Sequence, residues 1–582
     1  MNGSTGMRDV LREVWRITKP YWVSEEKWWA WALLFVVIVL NLSTVALNVA
    51  FNYWRNAFYN TLQDLNEHGF YVQIAIFSGL AVIWVVVGLS RDFLGQMLRI
   101  RWRRWLTHRY LDRWLDHRAY YRLQLTSTGT DNPDQRISED LRDITDFTLS
   151  LTLGLMNSVV SLFSFVFILW SLSGPITIPL GALGEVTIPA YMVWAALVYA
   201  ALGTVVTLKL GRPMVDLTFM QQRYEADFRY SLVRLRENTE SVAFYRGEPR
   251  ELEIFGARFG SVVANFFAIM WRQLKVNSFI FGTGQASVVF PYLMQAPRFF
   301  AKQIQLGDLM QTAEAFGQVL SALSFIINSY TDTNPANANI AGWQAIIRRL
   351  AGFEQHVETL AEEAKKPSPL DVARQGSGLS VANLDLDLPD GKPLISGVEL
   401  GADAGDALLV SGPTGVGKST VLRAIAGLWP FGRGKVRLPT GRIFFVPQKP
   451  YVPLGTLRHA LAYPESGANI PDDKLKAVLI KVGLGAFASE LDIADQWAQR
   501  FSGGEQQRLA FARAFLAEPA VIFLDEATSA LDESSEAELY RMLREAPWRP
   551  TIVSVGHRST LRAFHDAVLV LAPVRRAAPA AS

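Results

Sequence analysis

The sequence predicts a helical membrane domain of six spans followed by an α/β domain built around a P-loop. Three observations carry that prediction. Half of the 582 residues are hydrophobic and only 19% are charged, against roughly 25% in a soluble domain. Six apolar stretches, at residues 28–51, 70–90, 149–172, 188–210, 277–295 and 309–330, each approach the ~20 residues that a helix needs to cross a bilayer. Residues 412–420 read GPTGVGKST, which fits G-x-x-x-x-G-K-[ST], a loop whose backbone N–H groups curl around phosphate oxygens.

Length alone asks for more than one core. The net charge of +3 is too small to favour nucleic acid as a partner, and the lack of cysteine removes disulfides and thiolate metal sites. The first apolar run ends without a small-residue cleavage site, so no cleavable signal is expected.

Taken in order, the chain opens with Val10, Val14 and Ile17 at helical spacing among Arg8, Arg12, Arg16 and Lys19. Trp15, Tyr21 and Trp22 lie close by, so a helix on the membrane surface is expected. The six spans follow. The fifth and sixth carry Gly282, Gly284, Pro291, Glu314 and Gly317, residues that suit helices facing one another or a water-filled cavity. Asn48, Asn52, Arg55 and Glu314 are polar positions near or within spans that line such a cavity, pack between helices or sit at the membrane interface.

Loop charge sets the orientation. The segment after span two carries nine arginines from Arg91 to Arg122, and the segment after span four is charged from Arg212 to Arg258. Both are expected in the cytoplasm with the N-terminus. Residues 99–121 and 219–240 contain almost no glycine or proline and read as spans continuing into the cytosol, reversing at 126–135 and 247–249. Residues 351–375 become polar and include Pro367 and Pro369, so they read as a linker. The expected organisation is a membrane domain over 1–350, a linker over 351–375, an α/β domain over 376–573 and a disordered tail over 574–582.

The P-loop supplies Gly412, Pro413, Thr414, Gly415, Val416, Gly417, Lys418, Ser419 and Thr420 as a phosphate cradle. Lys418 reaches the β- and γ-phosphates and Ser419 can hold Mg²⁺. Residues 407–410 read as the strand before it and 421–427 as the helix after it. AVIFLDE at 520–526 is an apolar strand that delivers Asp525 towards the metal and Glu526 towards an attacking water. FSGGEQQ at 501–507 opens a helix whose free N–H groups make a second phosphate-binding surface from Ser502, Gly503, Gly504 and Glu505. Gln448, in FVPQKPYV, ends a strand and can reach both metal and water. His557, in SVGHRST, follows the strand 551–555 and can hydrogen-bond a γ-phosphate. Two phosphate surfaces on one fold make sense if two copies meet head to tail.

In that order these elements resemble the nucleotide-binding domain of an ABC transporter. The resemblance implies ATP and Mg²⁺ as cofactors, an exporter-type ABC fold, and a D-loop at 529–532. Two departures stand out: Glu505 replaces the usual glutamine, and Leu388 stands where an aromatic often stacks on adenine. RWRRWLTHRYLDRWL at 101–115, YYR at 120–122, DNPDQRISED at 131–140 and ENTESVAFYRGEPRE at 237–251 resemble SbmA/BacA-type peptide transporters and peroxisomal fatty-acyl-CoA half-transporters. A fused ATP-driven member of the BacA-related group is implied. It would pair with a second copy in a bacterial inner membrane, with its N-terminus and ATPase domain cytoplasmic. It would import peptides, antimicrobial peptides among them, or bulky hydrophilic solutes such as cobalamin. An exporter or a lipid or fatty-acyl-CoA carrier of the same fold remains open, as does a membrane ATPase that acts as a regulator or sensor.

Overall fold

Long apolar runs give the first part of the chain very long helices, and three of its helices have proline inside. In the computed structural model, which describes residues 7–126, 132–179, 185–331, 338–366 and 368–572, they are α1 (Met7–Trp22), α2 (Lys27–Gln63) and α3 (Glu67–Leu115), then α4 (Ala119–Thr126), α5 (Pro133–Gln135) and α6 (Leu141–Ser173). A hairpin of β1 (Ile176–Pro179) and β2 (Glu185–Ile188) leads to α7 (Tyr191–Glu237), α8 (Thr239–Tyr245) and α9 (Glu248–Phe300). Helices α10 (Leu306–Thr331) and α11 (Ile340–Lys365) follow. Among the described residues five helices are long and apolar enough to cross a membrane: α2, α3 with α4, the run ending in α6, α7 and α9. The sixth expected span lies within α10, which carries Asp308 and Glu314.

The bundle is built from pairs. Helix α2 packs along α3, α7 along α9, and α10 against α6 and α2. One core joins α6, the start of α7 and α10 through Phe165, Leu169, Met192, Phe316 and Val319. A second joins α1, α3 and α11 through Val10, Ile17, Tyr21, Trp102, Leu106, Tyr110, Ile347, Phe353 and Val357.

That second core corrects two expectations. The apolar face of α1 is covered by protein, not by lipid: Val10, Ile17 and Tyr21 are fully buried. Most of the expected linker is ordered. Helix α11 runs to Lys365 and a strand occupies Leu370–Arg374, and the chain divides at Leu360 and Ala361. The cause is a stripe of Ile346, Leu350, Phe353, Val357 and Leu360 at helical spacing, masked in the sequence by the charges around it. Two other details differ. The helix expected over 99–121 breaks where His117 and Arg118 take φ of 48° and 57°, and the short helix α8 precedes the reversal expected at 247–249, which falls at the start of α9. Of the reversal at 126–135, residues 127–131 lie outside the described residues, as does the expected tail.

The second unit is an α/β domain. Its main sheet has five parallel strands in the order β13-β6-β12-β11-β8. A four-stranded sheet, β3-β7-β4-β5, is mostly antiparallel. In chain order the strands are β3 (Leu370–Arg374), β4 (Leu379–Asp387), β5 (Pro393–Ala402), β6 (Ala407–Ser411), β7 (Gly432–Leu438) and β8 (Ile443–Val446). The short β9 (Gly455–Thr456) and β10 (Ala494–Asp495), β11 (Val521–Asp525), β12 (Thr551–Val555) and β13 (Ala567–Val570) complete them. Strands β6, β11 and β12 are almost wholly buried, which is why they read as unbroken apolar runs. The helices are α12 (Lys418–Ile425), α13 (Leu457–Ala462), α14 (Asp472–Lys481), α15 (Trp497–Arg500), α16 (Gly503–Ala517) and α17 (Glu533–Arg544).

Candidate functional site

In a parallel α/β sheet the chain leaves every strand at the same edge, and that edge is where such folds bind ligands. Here the P-loop leaves β6, Gln448 follows β8, Asp525 and Glu526 end β11, and His557 follows β12. Neighbouring registers, Asp525 beside Val555 and Leu524 beside Val446, bring four sequence-distant groups to one rim.

The P-loop needs its glycines. Gly412, Gly415 and Gly417 have φ of 151°, 80° and 106°, a region that side chains rarely tolerate. A Cβ at Gly412 would sit 2.7 Å from the carbonyl oxygen of Leu571. Lys418 is buried and donates to the carbonyls of Gly412 and Pro413 at 3.0 and 3.1 Å, and burial lowers its pKa. The Ser419 hydroxyl donates to Asp525 Oδ1 at 2.8 Å. Burial raises the Asp525 pKa, and the Ser419 hydrogen bond opposes the shift. A hydroxyl beside a carboxylate is a hard-oxygen donor set of the kind Mg²⁺ takes, so these residues fit that ion.

Glu526 is the centre of a smaller cluster. Gln448 Nε2 donates to its Oε2 at 2.8 Å, and His557 Nε2 lies 3.2 Å from its Oε1. Its backbone has φ of 46°, a strained value for a non-glycine residue, and is tied to β12 by a bond from its N–H to the Val555 carbonyl. A carboxylate held in this way can accept a proton from water. The amide nitrogen of Gln448 is therefore directed at Glu526.

Ser502, Gly503, Gly504 and Glu505 are elsewhere in the domain. Ser502 caps α16, and Glu505 Oε2 accepts from both its N–H and its hydroxyl at 2.8 Å, a reciprocal capping box. A Cβ on Gly504 would press on Leu531 at 3.1 Å, so this turn abuts 529–532 and not the P-loop.

Sequence reasoning missed two groups. Gln507, 3% exposed, donates to Ser529 Oγ at 3.1 Å and to the Gln448 carbonyl at 3.4 Å. It also accepts from Ala530 N–H at 2.9 Å, linking three motifs. Glu536, 1% exposed, accepts from Thr528 and Thr560 at 2.6 and 2.9 Å. Only its helical position hinted at burial. Near the P-loop, Leu394 presses on Gly417, whose Cβ would meet it at 3.2 Å. Leu388 sits in the β4–β5 turn.

Two family models match the chain: ABC transporter transmembrane region 2 over residues 17–300, and ABC transporter over residues 395–529. An uncharacterized ABC transporter ATP-binding protein of Haemophilus influenzae is 40% identical over 93% of this chain and 88% of its own length. The chain belongs to the ABC transporters. The human lysosomal cobalamin transporter ABCD4 is 28% identical to this transporter, over 96% of the chain and 94% of the relative. A bacterial Atm1-family ABC exporter with ATP bound shares the fold, with a TM-score of 0.67, 17% identity and 93% of each chain covered. This ABC half-transporter thus joins a helical membrane domain to an ATP-hydrolysing domain that uses ATP with Mg²⁺ and drives transport across a membrane. Half-transporters of this architecture function as dimers in a membrane.

Proposed function

We propose that the transporter imports peptides, antimicrobial peptides included, or other bulky hydrophilic solutes such as cobalamin. In this reading it is an SbmA/BacA-like homodimer in a bacterial inner membrane, with its ATPase domains cytoplasmic. The observation that carries the reading is a polar ladder between the last turns of α2 and the first turns of α10. Arg55 Nη1 pairs with Glu314 Oε2 at 2.6 Å, each about one-third exposed. Beside it Asn56 donates to both Asp308 and Gln311 at 2.8 Å, and Asn60 accepts from Gly307 N–H at 2.8 Å. Of these groups Glu314 lies within the sixth expected span, where a charge is costly against lipid and suits a wet, polar path. Asn52 is 1% exposed and donates to the Gln311 carbonyl, so it packs; Arg55 and Glu314 remain open to a solute.

In the same reading the ATP-binding edge works through the residues described above. The backbone and side chains of 412–420, Lys418 above all, hold the phosphates. Ser419, Asp525 and Gln448 offer oxygens to Mg²⁺, which supplies neutralising charge when bound. Glu526 takes the proton of the attacking water, and His557 hydrogen-bonds the γ-phosphate. Ser502, Gly503, Gly504 and Glu505 of a second copy close the site, since one chain keeps them apart from its own P-loop.

Uptake into ATP-loaded vesicles of known orientation tests the function, with labelled peptide, labelled cobalamin and labelled acyl-CoA as probes. ATP-dependent movement of peptide or cobalamin towards the ATPase side is expected. Movement of acyl-CoA alone, or ATP hydrolysis with no solute moved, would sink it.

A further inference from the structure

Helices α7, α9 and α10 line a half-open cavity of about 310 Å³ within the spans. No charged residue lines it; its polar atoms are hydroxyls from all three helices. Four of them are committed: Tyr199 donates to the Thr283 carbonyl, Thr204 to that of Ala200, Thr283 to that of Phe279 and Ser287 to that of Gly284, at 2.5 to 2.8 Å. A hydroxyl that donates to its own helix keeps lone pairs for accepting. The other three, Thr207, Ser321 and Ser324, have no hydrogen-bond partner among the described residues, and Thr207 is nine-tenths buried.

Glycines complete the wall. Gly203, Gly284 and Gly317 line the cavity, one from each helix. Small residues in membrane helices commonly let backbones touch, which would place neighbouring atoms against an added Cβ. At all three positions an added Cβ meets nothing within 4 Å. These glycines make room; they do not pack.

We propose that this cavity is a subsite for amide groups of the carried solute. An amide presents one or two N–H donors and a carbonyl acceptor. The committed hydroxyls can receive the N–H, and Thr207, Ser321 and Ser324 can donate to the carbonyl. A carboxylate or ammonium would enter without a counter-charge and lose its hydration. The volume lies at the low end of the roughly 300–1,000 Å³ of ligand sites, enough for a short stretch of peptide backbone or one carboxamide arm of a larger solute. The inference rests on the reading of the transporter as a carrier of hydrophilic solutes.

The test is uptake kinetics of the full-length transporter in vesicles, with three probes: a labelled peptide, the same peptide N-methylated along its backbone, and labelled cobalamin. Thr207→Val combined with Ser324→Ala removes hydroxyls without adding bulk. Gly317→Leu fills the space, and Gly79→Leu, on α3 where an added Cβ also meets nothing, is the control. The double variant should raise KM about 3- to 30-fold, the worth of one or two hydrogen bonds, with kcat within about twofold. N-methylation should raise KM for wild type, with little further increase in the double variant. Gly317→Leu should lose uptake while Gly79→Leu keeps it. A peptide effect alone assigns the subsite to backbone amides; an effect on cobalamin alone assigns it to carboxamide arms. Unchanged KM in the double variant and uptake retained by Gly317→Leu, in a transporter that moves these probes, would overturn the subsite. A wild type that moves none of them would overturn the carrier reading itself.

Discussion

Replacing Glu526 by glutamine isolates one proton acceptor while leaving its surroundings in place. Glutamine has the same length and can still meet Gln448, 2.8 Å away, and His557, 3.2 Å away. The strained φ of 46° persists, because the anchor is the N–H bond to the Val555 carbonyl and not the side chain. Folding stability should therefore change by less than about 1 kcal/mol. Loss of a general base costs about 10²- to 10⁴-fold in rate, or about 3 to 5 kcal/mol of barrier at 1.36 kcal/mol per tenfold. Phosphate release by the purified transporter in lipid measures the rate, and equilibrium binding of labelled ATP measures what should stay constant. Full-rate hydrolysis by Glu526→Gln would refute the role assigned to this carboxylate. A parallel loss of ATP affinity would show instead that the residue holds the site together.

Three further outcomes follow from the structure. Gln507→Ala removes the bridge between α16, Ser529 and the Gln448 carbonyl; it should cost about 1–3 kcal/mol and lower hydrolysis more than ATP affinity, as chemical denaturation and turnover would show. Asp140→Ala strips a buried carboxylate that accepts from Arg136 at 2.8 Å and from Arg349 at 2.6 and 3.0 Å; breaking such a group costs about 3–5 kcal/mol, the lower figure applying because Arg349 is 39% exposed, and the thermal midpoint of the membrane unit reads it. His565 closes a chain in which Tyr540 donates to Ser554 and His565 lies 2.8 Å from Ser554 and 2.7 Å from the Leu561 carbonyl. Burial lowers its pKa, so on acidification the unfolded chain takes up a proton first. Stability is full above about pH 6.5 and is lost as pH falls through the depressed folded value; His565→Gln should flatten that slope in denaturant midpoints measured between pH 8 and pH 5.

The ATP-binding domain was legible because its chemistry is local in sequence. Strand β12 occupies the residues 551–555 read as strand, and Asp525 ends β11 as its apolar run required. Burial on both faces makes such strands conspicuous. The membrane spans were legible for the same reason, through length and hydropathy. The failures were all long-range. Whether α1 lies on lipid or on α3 depends on a partner surface 80 residues away in sequence. The order in α11 rests on an apolar stripe that charges conceal. Gln507 and Glu536 act through contacts with other motifs, which no window along the chain contains.

Glu354 sits where three helices meet. Its carboxylate, 9% exposed, lies 3.4 Å from Arg113 of α3 and 3.9 Å from Arg16 of α1, and the neighbouring Phe353 stacks on Tyr110 at 5.9 Å. Helix α11 is the last element before the ATP-hydrolysing unit, so it is braced from two sides like a shaft in a bearing. One carboxylate thus ties α11 to α1 and α3 together. Shearing away the first two dozen residues would therefore leave the catalytic parts untouched and still let the shaft wobble.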